Sequence, residues 1–260
     1  MPWEWPVGAV CAFVLALIAT PAGVSGAVLL LPVQLSVLGV PSPAVTPTNL
    51  LFNVAATPGA LLRFWQEQRL VGPLSRLLVA GTLPGVIAGS IIRVELLSGS
   101  RAFTFVAAGV LLPLGLWLLL GGQRLARPRP RATARAGWLI WALALVVGTV
   151  GGIYGIGGGS ILGPILVGRG LPVVTVAPAA LASTFLTSVT GALTFAVLEM
   201  TGRGDIAPDW PIGLLCGLGG LAGGYLGAAL QPLLPERRLR QLLGTCAVAI
   251  GVLYVVQTVA

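Results

Sequence analysis

Histidine and lysine are absent from this 260-residue chain, and charged residues of every kind make up only 8% of it. Without histidine, the usual zinc site, the Ser–His nucleophile pair and the histidine proton relay cannot be built. Average soluble domains carry about 25% charged residues. At 8% the chain cannot coat a water-facing surface, which excludes a soluble globular protein. Cysteine is scarce as well. Cys11, Cys216 and Cys246 lie singly in apolar runs with no CxxC spacing, and read as buried free thiols rather than a disulfide or metal site. No Asp, Glu or Arg falls in the middle of an apolar run. The intramembrane carboxylate that a cation pump or sodium site normally holds is therefore missing, and cation transport is disfavoured.

What is present is apolar: hydrophobic residues make up 56% of the chain, and its mean hydropathy is +0.98. A transmembrane helix takes about 20 residues, so the length allows about 8–10 membrane segments and almost no extramembrane domain. The expected class is an all-α polytopic membrane protein. The N-terminus, Met-Pro-Trp-Glu-Trp, lacks the positive stretch of a secretory signal, so residues 7–20 are expected to belong to the fold.

Runs 7–20 and 26–39 are short and are separated by Thr20-Pro21-Ala22-Gly23-Val24-Ser25-Gly26. Runs 44–62, 72–92 and 102–121 follow, each long enough to span. After the segment 122–137 the pattern restarts with 138–152, a glycine-rich break, 160–168, and long runs 175–198, 210–230 and 241–259. The expected organisation is two halves, 1–121 and 138–260, joined by a linker over 122–137. Each half is a short broken or re-entrant helix pair followed by three transmembrane helices.

All 15 basic residues are arginines, scattered between apolar runs. That pattern sets membrane topology, and no nucleic-acid partner is expected despite a pI near 11.0. With the linker arginines (Arg124, Arg127, Arg129, Arg131, Arg135) in the cytoplasm and each short pair entering and leaving on one side, Arg63, Arg69, Arg76, Arg169, Arg237, Arg238 and Arg240 also fall inside. Only Arg93, Arg101 and Arg203 fall outside. Treating each pair as one broken helix that crosses once gives a weaker asymmetry. The first arrangement places both termini outside and inverts one half against the other, in a bacterial-type inner membrane. Trp3, Trp5, Trp65, Trp138 and Trp210 sit at run edges as interfacial anchors. Arg93 and Glu199, near run ends, are expected at the interface, with gating or steering of an anion as the alternative.

The duplication has independent support in the sequence. Gly23-Val-Ser-Gly-Ala-Val-Leu-Leu-Leu-Pro32 aligns without gaps to Gly155-Ile-Gly-Gly-Gly-Ser-Ile-Leu-Gly-Pro164. Pro41-Ser-Pro-Ala-Val-Thr-Pro47 is echoed by Leu171-Pro-Val-Val-Thr-Val-Ala-Pro178, and Gly85-Val-Ile-Ala-Gly89 by Gly219-Gly-Leu-Ala-Gly223. Inverted repeats with paired, Gly/Pro-interrupted short segments are a signature of secondary transporters, and the interruptions mark the expected midplane site.

The glycine-rich breaks with their following prolines, Gly23 to Pro32 and Gly155 to Pro164, resemble the TauE/SafE sulfite-exporter family, also called the 4-toluene-sulfonate uptake permease family, over about residues 7–258. Ser25 and Ala27 stand in the first copy where that family would have further glycines. The resemblance implies a membrane transporter of sulfite, organosulfonates such as sulfoacetate, or related small anions.

The residues themselves indicate where an anion could sit. A helix starting at Gly26 or Gly158 leaves its first amides unpaired, glycine permits close approach, and the helix N-terminus favours negative charge. Gly23, Ser25, Gly26, Gly157, Gly158, Gly159 and Ser160 are therefore candidate substrate-binding residues. The competing reading is that these glycines only permit tight helix crossings. Run 44–62 carries Thr46, Thr48, Asn49, Asn53 and Thr57, with Asn49 and Asn53 on one helix face. Run 175–198 carries Ser183, Thr184, Thr187, Ser188 and Thr190. Asn49, Asn53, Ser183, Thr184 and Thr187 join the candidate set, against the alternative of inter-helix bonds or bonds back to their own helix. Gln34 is a weaker candidate.

The expected function is a secondary transporter of a small anion by alternating access, with the lipid bilayer as surroundings and no cofactor. A channel-like facilitator and a non-transporting assembly subunit are the alternatives, and an intramembrane enzyme is disfavoured. A homodimer is one arrangement left open.

Overall fold

The computed structural model describes residues 3–42, 44–70, 72–96, 134–202 and 206–235, with isolated positions at 116 and within 237–252. The expected run 102–121, the linker before residue 134 and most of the run 241–259 lie outside the described residues, as does Cys246. All regular structure among the described residues is helical. We label the helices α1 (Glu4–Ala19), α2 (Ala27–Ser36), α3 (Val45–Gln66), α4 (Pro73–Glu95), α5 (Ala134–Tyr154), α6 (Gly158–Gly168), α7 (Val173–Met200) and α8 (Trp210–Leu230). Three-residue 3₁₀ turns, Thr20–Ala22 and Gln231–Leu233, extend α1 and α8.

Five helices are long and apolar enough to cross a membrane: α1 with its 3₁₀ extension, α4, α5, α7 and α8. Large apolar side chains such as Val10, Val146, Leu193, Val197 and Leu218 point outward from them, which suits lipid rather than water. Trp3, Trp65, Trp138 and Trp210 are exposed at helix ends.

The opening pair of each half differs from the sequence expectation in one respect. Its first member is full length and only its second is short, α2 with 10 residues and α6 with 11. The helix α1 begins at Glu4, before Pro6, because proline in a first turn forfeits no intrahelical bond. The short helices cover about 15–17 Å at 1.5 Å per residue, half of a bilayer core.

Helices α4 and α5 pack together, as do α1 and α8, and α3 lies on both α7 and α8. The two glycine pairs of the repeat explain the first two contacts. A Cβ at Gly85 or Gly89 would run into the Leu145 and Thr149 carbonyls of α5. A Cβ at Gly219 or Gly223 would run into the Ala9 and Phe13 carbonyls of α1. Each glycine pair is thus used for backbone-to-backbone approach, and each sits against the opening helix of the other half of the chain.

The start of α8 is fixed locally and at a distance. The Asp209 carboxylate accepts from the Ile212 amide at 3.0 Å, a side-chain cap, while the Asp209 amide donates to Thr48 Oγ1 on α3 at 2.8 Å.

Candidate functional site: two helix breaks in contact

After the Thr20–Ala22 turn, Gly23 takes φ +80°, and a Cβ there would lie 2.6 Å from Ala177 Cα. No L-residue fits such a turn against such a neighbour. The second break repeats the geometry after Tyr154, with Gly155 at φ +68° and Gly157 at φ +70°. A chain that must leave α1 or α5 and start a new short helix inside a packed interior uses these left-handed positions to turn.

The breaks touch. The Ser25 amide donates to Ser160 Oγ at 3.3 Å. The Ser25 hydroxyl donates to Asn53 Oδ1 and accepts from the Ala27 amide at 3.2 Å. Asn53 Nδ2 in turn donates to the Gly155 carbonyl at 3.3 Å. One side chain on α3 therefore holds the first break by its oxygen and the second by its nitrogen. Asn49, one turn earlier, donates to the Ala27 carbonyl at 3.1 Å, and its Oδ1 has no hydrogen-bond partner among the described residues. On the other long helix, Thr184 Oγ1 lies 3.2 Å from Ser160 Oγ, within hydrogen-bonding distance.

The candidate residues are all buried, but they do not all converge. Gly23, Ser25, Gly26, Asn49, Asn53, Gly157, Ser160 and Thr184 surround the meeting point of the breaks. Gly158 faces Thr82 and Gly148 instead, while a Cβ at Gly159 would strike the Ala180 carbonyl and lie 2.7 Å from Thr184 Oγ1, beside the meeting point. Both serve the tight crossing that is the competing reading for the glycines. Ser183 shares a 2.8 Å hydrogen bond with Thr82 of α4. Thr187 bonds back to the Ser183 carbonyl at 2.7 Å and the Thr184 carbonyl at 3.1 Å, the default for a hydroxyl in a helix. Gln34 is fully buried, and neither end of its carboxamide has a partner among the described residues.

A narrow pocket of about 10 Å³, room for about one water, adjoins the first break, lined by Thr20, Ser25, Gly26 and Thr57 together with Phe52 and Leu181. The sequence does not single out Thr20 as a candidate. Its position before a proline reads as punctuation rather than as a site.

Polar clusters at opposite ends of α3 tie the approaches to the breaks. At its start, Arg93 is 0% exposed and donates to Thr46 Oγ1 at 3.2 Å and Ser42 Oγ at 2.6 Å. Thr46 passes the connection to the Ile153 carbonyl at 3.2 Å, just before the second break. Arg93, in the last turn of α4, is thus packed inside the protein among polar partners. Beyond the other end of α3, Arg69 pairs with Glu67 at 2.8 Å and donates to Gln231 Oε1 at 2.6 Å and the Val174 carbonyl at 2.8 Å. Gln231 Nε2 completes the link to the Pro21 carbonyl at 2.7 Å, just before the first break.

Among the described residues no Asp or Glu enters the polar centre, and no group of His, Cys, Asp or Glu is able to hold a metal ion. The centre offers amides, hydroxyls and helix N-termini. Together these features define a polytopic helical membrane protein built around two helix breaks. The chain belongs to the sulfite exporter TauE/SafE family, whose model matches residues 8–254. Membership makes it a membrane transporter of the anion-exporter type. A comparison with curated proteins finds no match.

Proposed function

We propose that this protein is a secondary transporter of small oxyanions, sulfite or an organosulfonate such as sulfoacetate, working by alternating access of two inverted halves about the paired breaks. The observation that carries this reading is Asn53, which bonds Ser25 of one break and the Gly155 carbonyl of the other. A ligand that displaces those bonds changes how the two breaks are held, and the halves move with them. The chemistry of the centre supports an anion: hydroxyl and amide donors, two helix N-termini and, among the described residues, no fully buried carboxylate. The reciprocal glycine packing supports two equivalent halves. The arginine distribution supports a cytoplasmic linker and outward-facing termini. The clusters around Arg93 and Arg69, at opposite ends of α3, are placed to act as the two alternating closures. Sulfite flux into or out of proteoliposomes tests the reading. Flux that saturates and that falls on substitution of Asn53 is expected. Absence of flux for sulfite, sulfate, thiosulfate and sulfoacetate with the fold intact overturns it.

A further inference from the structure

Two buried hydroxyls occupy equivalent places in the two halves, and neither is hydrogen-bonded among the described residues. Thr57 of α3 and Ser188 of α7 are 4% and 0% exposed, and neither hydroxyl has a partner among the described residues. The same register that sets Pro47 against Pro178 sets Thr57 against Ser188. Each lies one turn beyond a residue that touches the breaks, Asn53 in one helix and Thr184 in the other.

Their neighbours show that a missing bond is not the ordinary outcome. Thr48, Thr187, Thr190 and Thr194 in the same two helices all donate to the carbonyl four residues back. Thr57 and Ser188 do not take the equivalent bond, although leaving a buried hydroxyl unbonded is costly. Both face a break. Thr57 lines the pocket with Ser25 and Gly26 at the N-terminus of α2. Ser188 Oγ would lie 3.2 Å from a Cβ on Gly157, which places it against the N-terminus of α6.

We infer that Thr57 and Ser188 are the hydroxyl donors of two oxyanion half-sites, one at each break. Each hydroxyl adds a directed hydrogen bond to the attraction of its helix N-terminus for a small oxyanion. The pocket beside Thr57, with Thr20 on its wall, is the first of the two half-sites. This assignment rests on the transport reading above.

The test uses the full-length protein in proteoliposomes and detergent, with sulfite as the probe and Thr57→Val, Ser188→Ala and Thr57→Ser as variants. Loss of one hydrogen bond to a charged ligand is expected to raise the KM for sulfite about tenfold or more in each of the first two variants. Thr57→Ser keeps the hydroxyl and is expected to stay near wild type. Removing an unpaired hydroxyl leaves the ligand-free thermal midpoint unchanged or raised, so weakened binding is separable from failure to fold. Sulfite binding and flux in wild type with an unchanged KM in both Thr57→Val and Ser188→Ala overturn this assignment alone. Wild type that neither binds nor moves sulfite, sulfate, thiosulfate or sulfoacetate overturns the transport reading and this assignment together.

Discussion

Ser25 and Ser160 meet across the molecule, the amide of one donating to the hydroxyl of the other at 3.3 Å. These residues lie in the two copies of the repeated break motif, and their contact joins the N-terminal ends of α2 and α6. Two helix N-termini brought this close without a carboxylate between them concentrate partial positive charge inside an apolar body. A small anion relieves that arrangement and a cation worsens it.

Asn53 is the side chain on which both breaks depend. Asn53→Ala leaves the Ser25 hydroxyl and the Gly155 carbonyl without their buried partner, which costs about 1–3 kcal/mol for each group left unsatisfied. A lowered thermal midpoint and loss of sulfite flux are the expected results. Asn53→Asp keeps the shape but introduces negative charge, and is expected to abolish flux more completely than it lowers the midpoint.

Gly89 and Gly223 make the same backbone approach in the two halves, to Thr149 and to Phe13. Gly89→Ala and Gly223→Ala are expected to destabilise by similar amounts, about 1–3 kcal/mol each as for overpacked cores. Gly72→Ala serves as the control, since a Cβ there meets nothing within 4 Å and its φ of −157° is ordinary extended backbone. Thermal unfolding of the three variants checks the series.

Much of this arrangement is legible in the sequence. Gly23, Gly155 and Gly157 announce the turns, because apolar stretches interrupted by clustered glycines are where a chain can take the left-handed conformations that end one helix and start another. The spacing of Asn49 and Asn53 puts both on a single face. The burial of Arg93 is not legible. It depends on Ser42, ahead of α3, on Thr46 in its first turn and, through Thr46, on the Ile153 carbonyl of α5, partners that local hydropathy does not bring together. Thr187 misleads for the opposite reason. Its i,i+4 relation to Ser183 is satisfied inside the helix, so a pattern that suggests a binding face is partly a helix bonding to itself.

Arg69 holds the Gln231 link to Pro21. Arg69→Met leaves Gln231 Oε1, a buried acceptor, without its donor, at a cost of about 1–3 kcal/mol. A lower thermal midpoint is expected. So is easier labelling of a cysteine introduced at Thr20, because the turn before the first break loses an anchor. Arg93→Lys is expected to impair transport although the charge is retained, since one ammonium cannot reproduce the planar guanidinium contacts to Thr46 and Ser42. The flux of the lysine variant compared with wild type checks this.

The central claim is that a small oxyanion crosses the membrane by way of the two breaks. Radiolabelled sulfite efflux from proteoliposomes, measured for wild type and Asn53→Ala at matched protein incorporation, tests it most directly. Saturable efflux in wild type that is lost in Asn53→Ala, while a folded variant is still recovered, is the predicted result. Equal efflux from both proteins would contradict it.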